Sequence, residues 1–197
     1  MVAFDVRSGM SDPARIEADV CVVGAGPAGL TCALYTARAG LDTAVVDGGS
    51  SILERNARLE NVPGFPGGVD ARRFLTATRM QVEDAGARIL EGVVEGVTRE
   101  ADGDRLVATT AARSVVADSL VAASWKDCSY LDGFDVERVD RGSKTFLAVD
   151  DAGRTAVDGV YAAGRLAGKE HQTVIAAGHG AEVGIGVVHD AGVPFYH

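Results

Sequence analysis

The run Asp19-Val20-Cys21-Val22-Val23-Gly24-Ala25-Gly26-Pro27-Ala28-Gly29-Leu30 decides the fold. An apolar strand pattern leads straight into Gly24-x-Gly26-x-x-Gly29, and helical spacing follows, with Leu30, Ala33, Leu34 and Ala37 on one face and Gly40 as the stop. Strand, glycine turn and helix in that order lift a Gly-x-Gly-x-x-Gly match above coincidence. Gly24 permits a sharp turn, Gly26 leaves room for a pyrophosphate to approach the backbone, and Gly29 lets helix and strand pack closely. With Ala25, Pro27 and Ala28 they read as a dinucleotide-binding turn, whose phosphates would sit on the free N–H groups and dipole of the helix N-terminus.

Working outward, residues 43–47 give a second strand that ends in Asp47, which lies 23 residues after Gly24. A carboxylate about 20 residues past the first motif glycine meets the ribose hydroxyls of a bound dinucleotide. The alternative is a strand-end Asp that caps a turn with Gly48 and Gly49. Residues 60–68 hold two prolines and three glycines in a rigid, turning loop that contains Asn61. From Asp70 as N-cap, Phe74, Ala77, Val82 and Ala85 mark an amphipathic helix that stops at Gly86. Residues 88–94 read as a third parallel strand.

The period then changes. Residues 97–99 and 105–110 flank the turn Asp102-Gly103-Asp104, a hairpin signal, and 114–117 read as a further short strand. Residues 118–124 return to a buried strand, 125–144 are irregular, acidic and expected to be exposed at their tip, and 146–149 with 155–157 read as a small hairpin. A last strand at 160–164 precedes a helix over 172–189, in which Gly178, Ala181 and Ile185 are placed to pack on a neighbour.

Composition narrows the function. The chain has 197 residues, a net charge of −9, 28 acidic residues and 19 basic ones, of which only Lys126, Lys144 and Lys169 are lysines. Such a surface repels nucleic acid and anionic membrane, so neither is an expected partner. A salt-adapted cytoplasm and an ordinary solvated acidic face explain the bias equally well. No apolar run approaches the length of a membrane span and the N-terminus has no apolar signal core, so a cytoplasmic location is expected. The three cysteines lack Cys-x-x-Cys spacing, which argues against a metal site and a local dithiol. Cys21 and Cys32 read as small buried hydrophobes, whereas Cys128, in a polar loop beside Lys126, is a weak candidate for a reactive thiol.

At this point the chain resembles the FAD-binding domain of the thioredoxin reductase-like family of pyridine nucleotide-disulfide oxidoreductases. Four blocks carry the likeness: Gly24 to Gly29; Glu60-Asn61-Val62-Pro63-Gly64-Phe65-Pro66; residues 120–124; and Gly159-Val160-Tyr161-Ala162-Ala163-Gly164 followed by Gln172-Thr173-Val174-Ile175-Ala176-Ala177-Gly178. The resemblance implies an α/β, Rossmann-like FAD-binding domain over residues 19–190, with a central parallel sheet, helices and a small antiparallel β-meander. Residues 1–18 read as a lead-in that need not be ordered, and 191–197 as a C-terminal tail. The resemblance also implies that Asp47 and Gly48 meet the ribose, that Asn61 lies along the flavin, that Val94 offers backbone contacts to adenine, and that Gly164, Gln172, Thr173 and Val174 approach the flavin. N–H groups at that helix start would stabilise negative charge on the flavin edge.

Departures from the family are as informative. Family members insert a nicotinamide-binding domain, with its own glycine motif and a Cys-x-x-Cys dithiol, where this chain has only the linker 125–144. The usual Ala-Thr-Gly is Ala123-Ser124-Trp125, and the usual Gly-Asp is Gly164-Arg165. Arg165 is a candidate ligand for the FAD pyrophosphate or a surface arginine at a strand end. Trp125 stacks on flavin or adenine, or fills the space of the missing domain. The expectation is a single-domain FAD flavoprotein acting as an oxidoreductase or electron carrier, as a homodimer, fed by NAD(P)H or a redox protein from outside. The alternative is a non-catalytic FAD- or nucleotide-binding module. An NAD-binding role would leave the second and fourth blocks without a ligand. A tail of residues 193–197 packed on the flavin is weighed against a frayed terminus.

Overall fold

The computed structural model describes residues 14–194, apart from Ser50, Asp102 and Lys126. Thus residues 1–13 of the expected lead-in, Lys126 beside Cys128, the first residue of the 102–104 turn, and Phe195, Tyr196 and His197 of the tail lie outside the described residues. The chain runs β1 (Ala14–Val23), α1 (Pro27–Arg38), β2 (Thr43–Asp47), a short antiparallel pair β3 (Arg58–Leu59) and β4 (Val69–Asp70), α2 (Ala71–Asp84), and β5 (Arg88–Glu91). It continues with β6 (Val94–Arg99), β7 (Leu106–Thr110), β8 (Arg113–Ala122), a hairpin of β9 (Arg138–Arg141) and β10 (Lys144–Leu147), β11 (Val160–Ala162) and α3 (Thr173–Asp190).

The main sheet has the order β5-β2-β1-β8-β7-β6, with β11 also paired to β8. Its parallel part, β5, β2, β1, β8 and β11, and its antiparallel meander, β6, β7 and β8, match the α/β Rossmann-like class read from the sequence. Both are joined through β8. One edge of β8 pairs with β1 from Ala14↔Arg113 to Val23↔Ala122. Its other edge is divided between β7, from Leu106↔Ala117 to Thr109↔Ser114, and β11, from Val160↔Leu120 to Ala162↔Ala122.

Three sequence expectations are corrected here. The first strand begins at Ala14, so residues 14–18 belong to the sheet and not to the lead-in. The strands expected at 114–117 and 118–124 are one, because Asp118 sits at an exposed position paired with Arg105 and does not break the run. The second hairpin pairs Phe146 with Val139, and not with residues 155–157, where a single bridge, Arg154↔Tyr161, forms instead.

Period-two alternation divides the core. Val20 and Val22 face the helices with Val45, Leu30, Leu75 and Val187, while Cys21 and Val23 face a second cluster with Val46, Leu106 and Leu120. A parallel strand must be covered on both faces. On the second face the cover is Tyr130, Leu131, Val136 and Leu147, so the segment read as an irregular linker exposed at its tip also folds its apolar side chains over the sheet. No helix among the described residues is long and apolar enough to cross a membrane.

α1 and α3 pack at near-backbone contact. A Cβ added at Gly180 would lie 2.1 Å from the Ala28 carbonyl oxygen, and one at Gly184 would lie 3.0 Å from that of Cys32. The seam therefore runs through Gly180, Gly184 and Val187, not through Gly178, Ala181 and Ile185, because the buried face of α3 is rotated from the expected one. Gly178 faces open space. We expect Gly180→Val to destabilise the fold by more than about 3 kcal/mol, and Gly178→Ala, in the same helix, to stabilise it by about 0.5–1 kcal/mol; urea denaturation of the two variants checks the opposite signs.

Candidate functional site

In an open α/β sheet ligands bind outside the carboxyl ends of the strands, where connections diverge to either side. Here an open cleft of about 380 Å³ lies at that end. Its walls come from the turn after β1 (Gly24, Ala25, Gly26, Pro27, Ala28), the end of β2 (Asp47, Gly48), the stretch Gly92-Val93-Val94, the end of β8 (Ala123, Ser124, Trp125), Arg165, and the start of α3 (Gln172, Thr173). Segments far apart in sequence thus converge on one place.

The glycines divide their work as their surroundings dictate. Gly24 adopts φ +112°, and a Cβ there would come within 2.7 Å of the Ala123 carbonyl oxygen. Gly29 is buried and packs on the Gly24 carbonyl, where a Cβ would stand 1.9 Å away, so it closes helix on strand and does not line the cleft. At Gly26 an added Cβ would meet only the Ser51 hydroxyl at 3.9 Å, which leaves its backbone open to the cleft.

The helix starts differ in a telling way. α2, whose N-terminus does not line the cleft, is capped by Asp70, whose carboxylate accepts the Arg73 N–H at 2.8 Å. α1 and α3 begin at the cleft with Gly26 and Gln172 as N-caps, no capping side chain and no acid in the first turn. The Gln172 side-chain oxygen, Oε1, accepts from the Asn61 side-chain amide at 2.7 Å. Both helices therefore present unsatisfied N–H groups and the positive ends of their dipoles to the same space.

Asp47 takes the turn-capping role and also faces the cleft. One carboxylate oxygen accepts the Gly49 N–H at 2.9 Å and the other takes the Arg79 guanidinium, while the residue also lines the cleft. A carboxylate has about four acceptor positions, so two remain for a ligand's hydroxyls. Asn61, Gly164 and Val174 stand outside the cleft lining, with Val174 exposed on the first turn of α3.

Several cleft residues escaped sequence reasoning. Ser124 donates to the Asp127 carbonyl at 2.6 Å, so the Tyr130 hydroxyl, 2.9 Å away, must be its donor and Ser124 offers a ligand only lone pairs. Burial pushes the Tyr130 phenol well above its ordinary range, so it stays protonated. His171 contacts Trp125 with ring centroids 4.2 Å apart and ring planes tilted by 60°. Only the apolar pair Tyr130-Leu131 inside an acidic segment signalled that this stretch folds inward. Cys128 is half-buried outside the cleft lining, and Cys21 and Cys32 are core residues whose thiols burial pushes up to about 12.

His179 holds the Gly164 turn from behind. It is 3% exposed, its Nδ1 accepts the Gly164 N–H at 2.9 Å, and its proton therefore resides on Nε2, which is buried without a partner. Gly164 in turn packs against Ala28, where an added Cβ would come within 2.7 Å of the Ala28 methyl.

With this geometry in place, the comparisons fall into line. Residues 18–66 match the family described as pyridine nucleotide-disulphide oxidoreductase. Thioredoxin reductase from Aquifex aeolicus is 34% identical over 120 residues, covering 58% of this chain and 36% of that protein. The Streptomyces coelicolor enzyme is 38% identical over 82 residues, covering 40% and 26%. The chain thus spans about a third or less of the length of these relatives. Among solved structures, a thioredoxin reductase from Gloeobacter violaceus superposes with a TM-score of 0.79 at 18% identity, covering 92% of this chain and 99% of that one. An oxidoreductase from Agrobacterium tumefaciens gives 0.79 at 14%, covering 91% and 100%. The fold is therefore that of the thioredoxin reductases. Residues 18–66 are thus similar to the pyridine nucleotide-disulphide oxidoreductases, and the sequence likeness to thioredoxin reductases extends over little more than half of the chain.

Burial, with Lys169 adding to it, holds the His179 pKa below its ordinary value. The unfolded chain then binds a proton that the folded chain refuses, so His179 makes stability fall as pH drops below about 6.5. We expect His179→Asn, which keeps an acceptor for the Gly164 N–H, to show a smaller loss of stability between pH 7 and pH 5 than the parent; urea midpoints at the two pH values check it.

Proposed function

We propose that this protein is an FAD-binding oxidoreductase or electron carrier that takes electrons from an external donor. The observation that carries the reading is the pair of uncapped helix starts, α1 and α3, that share one cleft. A dinucleotide with a central pyrophosphate and an electron-accepting ring at one end supplies anionic partners for both. The residues fit that ligand: the Gly26 backbone is open to phosphate, Asp47 keeps acceptors for a ribose, and Gln172 and Thr173 stand at the α3 start. Val94, which lines the same cleft, serves the adenine side.

When bound, FAD would supply the redox chemistry itself. This chain's residues bind it, orient it and shape its surroundings. The α3 N–H groups favour negative charge beside them, and Ser124, fixed as an acceptor, favours a ligand N–H or O–H. The lid formed by residues 127–147 adds no Cys-x-x-Cys pair, so electrons must enter and leave through the cleft mouth. The exposed Val174 and Ile175 on α3 and Phe65 on the 60–68 loop support the homodimer as part of this proposal.

A second reading, a nucleotide-binding module without turnover, draws on the core positions of Cys21 and Cys32, which leave no thiol pair at the cleft. Sustained reduction of bound flavin by NADH, NADPH or reduced ferredoxin excludes it.

The purified protein should carry, or accept on incubation, an oxidised-flavin absorbance spectrum; a folded protein that cannot be loaded with FAD overturns the proposal. Gly26→Val should fold normally yet bind FAD at least about tenfold more weakly, or about 1.4 kcal/mol, because the new side chain stands where phosphate approaches. Circular dichroism and flavin titration together separate this from a folding defect.

A further inference from the structure

In a chain of net charge −9, one region gathers cations that have no carboxylate partner. Arg141 on β9 and Arg165 after β11 both lie over the Phe146 ring, with guanidinium carbons 5.7 and 5.0 Å from its centroid. Neither forms an ion pair with a described carboxylate. Arg165 donates to the neutral Lys169 carbonyl at 3.3 Å. Lys144, at the start of β10, acts on His171 together with Arg165. The acids nearby do not neutralise them: Asp140 takes the Thr145 hydroxyl, Asp127 takes the Ser129 N–H, and Glu170 lines the cleft without an ion pair among the described residues. Two guanidinium groups held over one ring repel each other, and cation–π attraction offsets that only in part. A phosphoryl group bound by both would remove the repulsion and match their planar donors.

An aromatic surface adjoins these charges. Trp125 and His171 are in ring contact and both line the cleft. Arg165 is 5.9 Å from the Trp125 centroid, so the Trp125 and Phe146 rings are no farther apart than the sum of its distances to each. The base-to-phosphate span of a nucleotide lies within that bound. Burial and the charges of Arg165 and Lys144 lower the His171 pKa, which keeps the imidazole neutral and suited to stacking.

We propose that Trp125 and His171, with Arg141, Lys144 and Arg165 around Phe146, form a second ligand subsite at the cleft rim that takes a nucleoside phosphate, its base on the aromatic pair and its phosphate between the two arginines. As the seat of the electron donor it rests on the FAD reading; as a binding site it does not. The shared chemistry, phosphate on a planar heterocycle, has two sources: a separate nucleotide, or FAD itself.

Trp125 is the sole tryptophan, so its emission reports on this subsite directly. Protein first saturated with FAD is titrated with AMP, NAD⁺, inorganic pyrophosphate and a ferredoxin. We expect AMP and NAD⁺ to change the emission saturably, with affinity that falls as salt rises and drops at least tenfold in Arg141→Glu/Lys144→Glu, while the flavin spectrum and FAD affinity stay unchanged; pyrophosphate alone should bind more weakly. Absence of any nucleotide response overturns the subsite. So does loss of FAD in the double variant, which makes FAD's own phosphate the occupant, and so does a response only to an acidic carrier protein such as ferredoxin. If FAD does not load, the cofactor reading fails by itself. The same titration of flavin-free protein then decides this inference: a response kept in Gly26→Val and lost in the double variant supports it, and the reverse pattern overturns it.

Discussion

The pairing of β1 with β8 is the interaction on which the rest of the structure depends. The two ten-residue strands run side by side, and the rest of the main sheet is attached to one of the two, directly or through a neighbouring strand. β2 and β5 extend from the outer edge of β1, and the meander and β11 from the outer edge of β8. Both strands deliver their carboxyl ends to the cleft, where the Ala123 carbonyl crowds Gly24. Glycine at position 24 is thus required by backbone-to-backbone contact as much as by its positive φ. The binding turn is a consequence of how closely the two central strands end together.

Much of this was legible in the sequence wherever a local rule governs the outcome. The apolar run into Gly24-x-Gly26-x-x-Gly29 gave strand, turn and helix, Asp70 announced its own helix, and residues 43–47 were read to the residue. The site was legible where it is made of backbone: the Gly24 turn and the Gln172 helix start belong to patterns that specify geometry. Asp47 was harder, since capping a turn and meeting a ribose call for the same residue at the same place, and the structure shows it holding Gly49 and Arg79 while still lining the cleft.

What was not legible depends on partners distant in sequence. Strand β1 begins five residues earlier than expected because β8 reaches back to Arg113 to meet it, and no local pattern carries that information. The rotation of α3 follows from Ala28 and Cys32 pressing on Gly180 and Gly184. Residues 125–144 look polar in sequence, yet a few apolar side chains, Tyr130, Leu131 and Val136, are enough to fold them over the sheet. The contact of Trp125 with His171 and Arg165 joins segments some forty residues apart in sequence, so it becomes visible only once the chain has closed on itself.

The divided edge of β8 has a further consequence. The chain leaves the sheet at Ala122 and returns at Val160, and these strands lie side by side, with Ala162 opposite Ala122. Whatever joins those points starts and ends at nearly the same place. Closing an excursion of this kind costs only about 0.6 kcal/mol more for each doubling of its length. The edge works as a socket: a short lid and a much longer insertion can occupy it at similar entropic cost, and neither has to disturb the strands that hold the glycine turn. The scaffold can therefore gain or shed an appendage as a unit while keeping its nucleotide cleft.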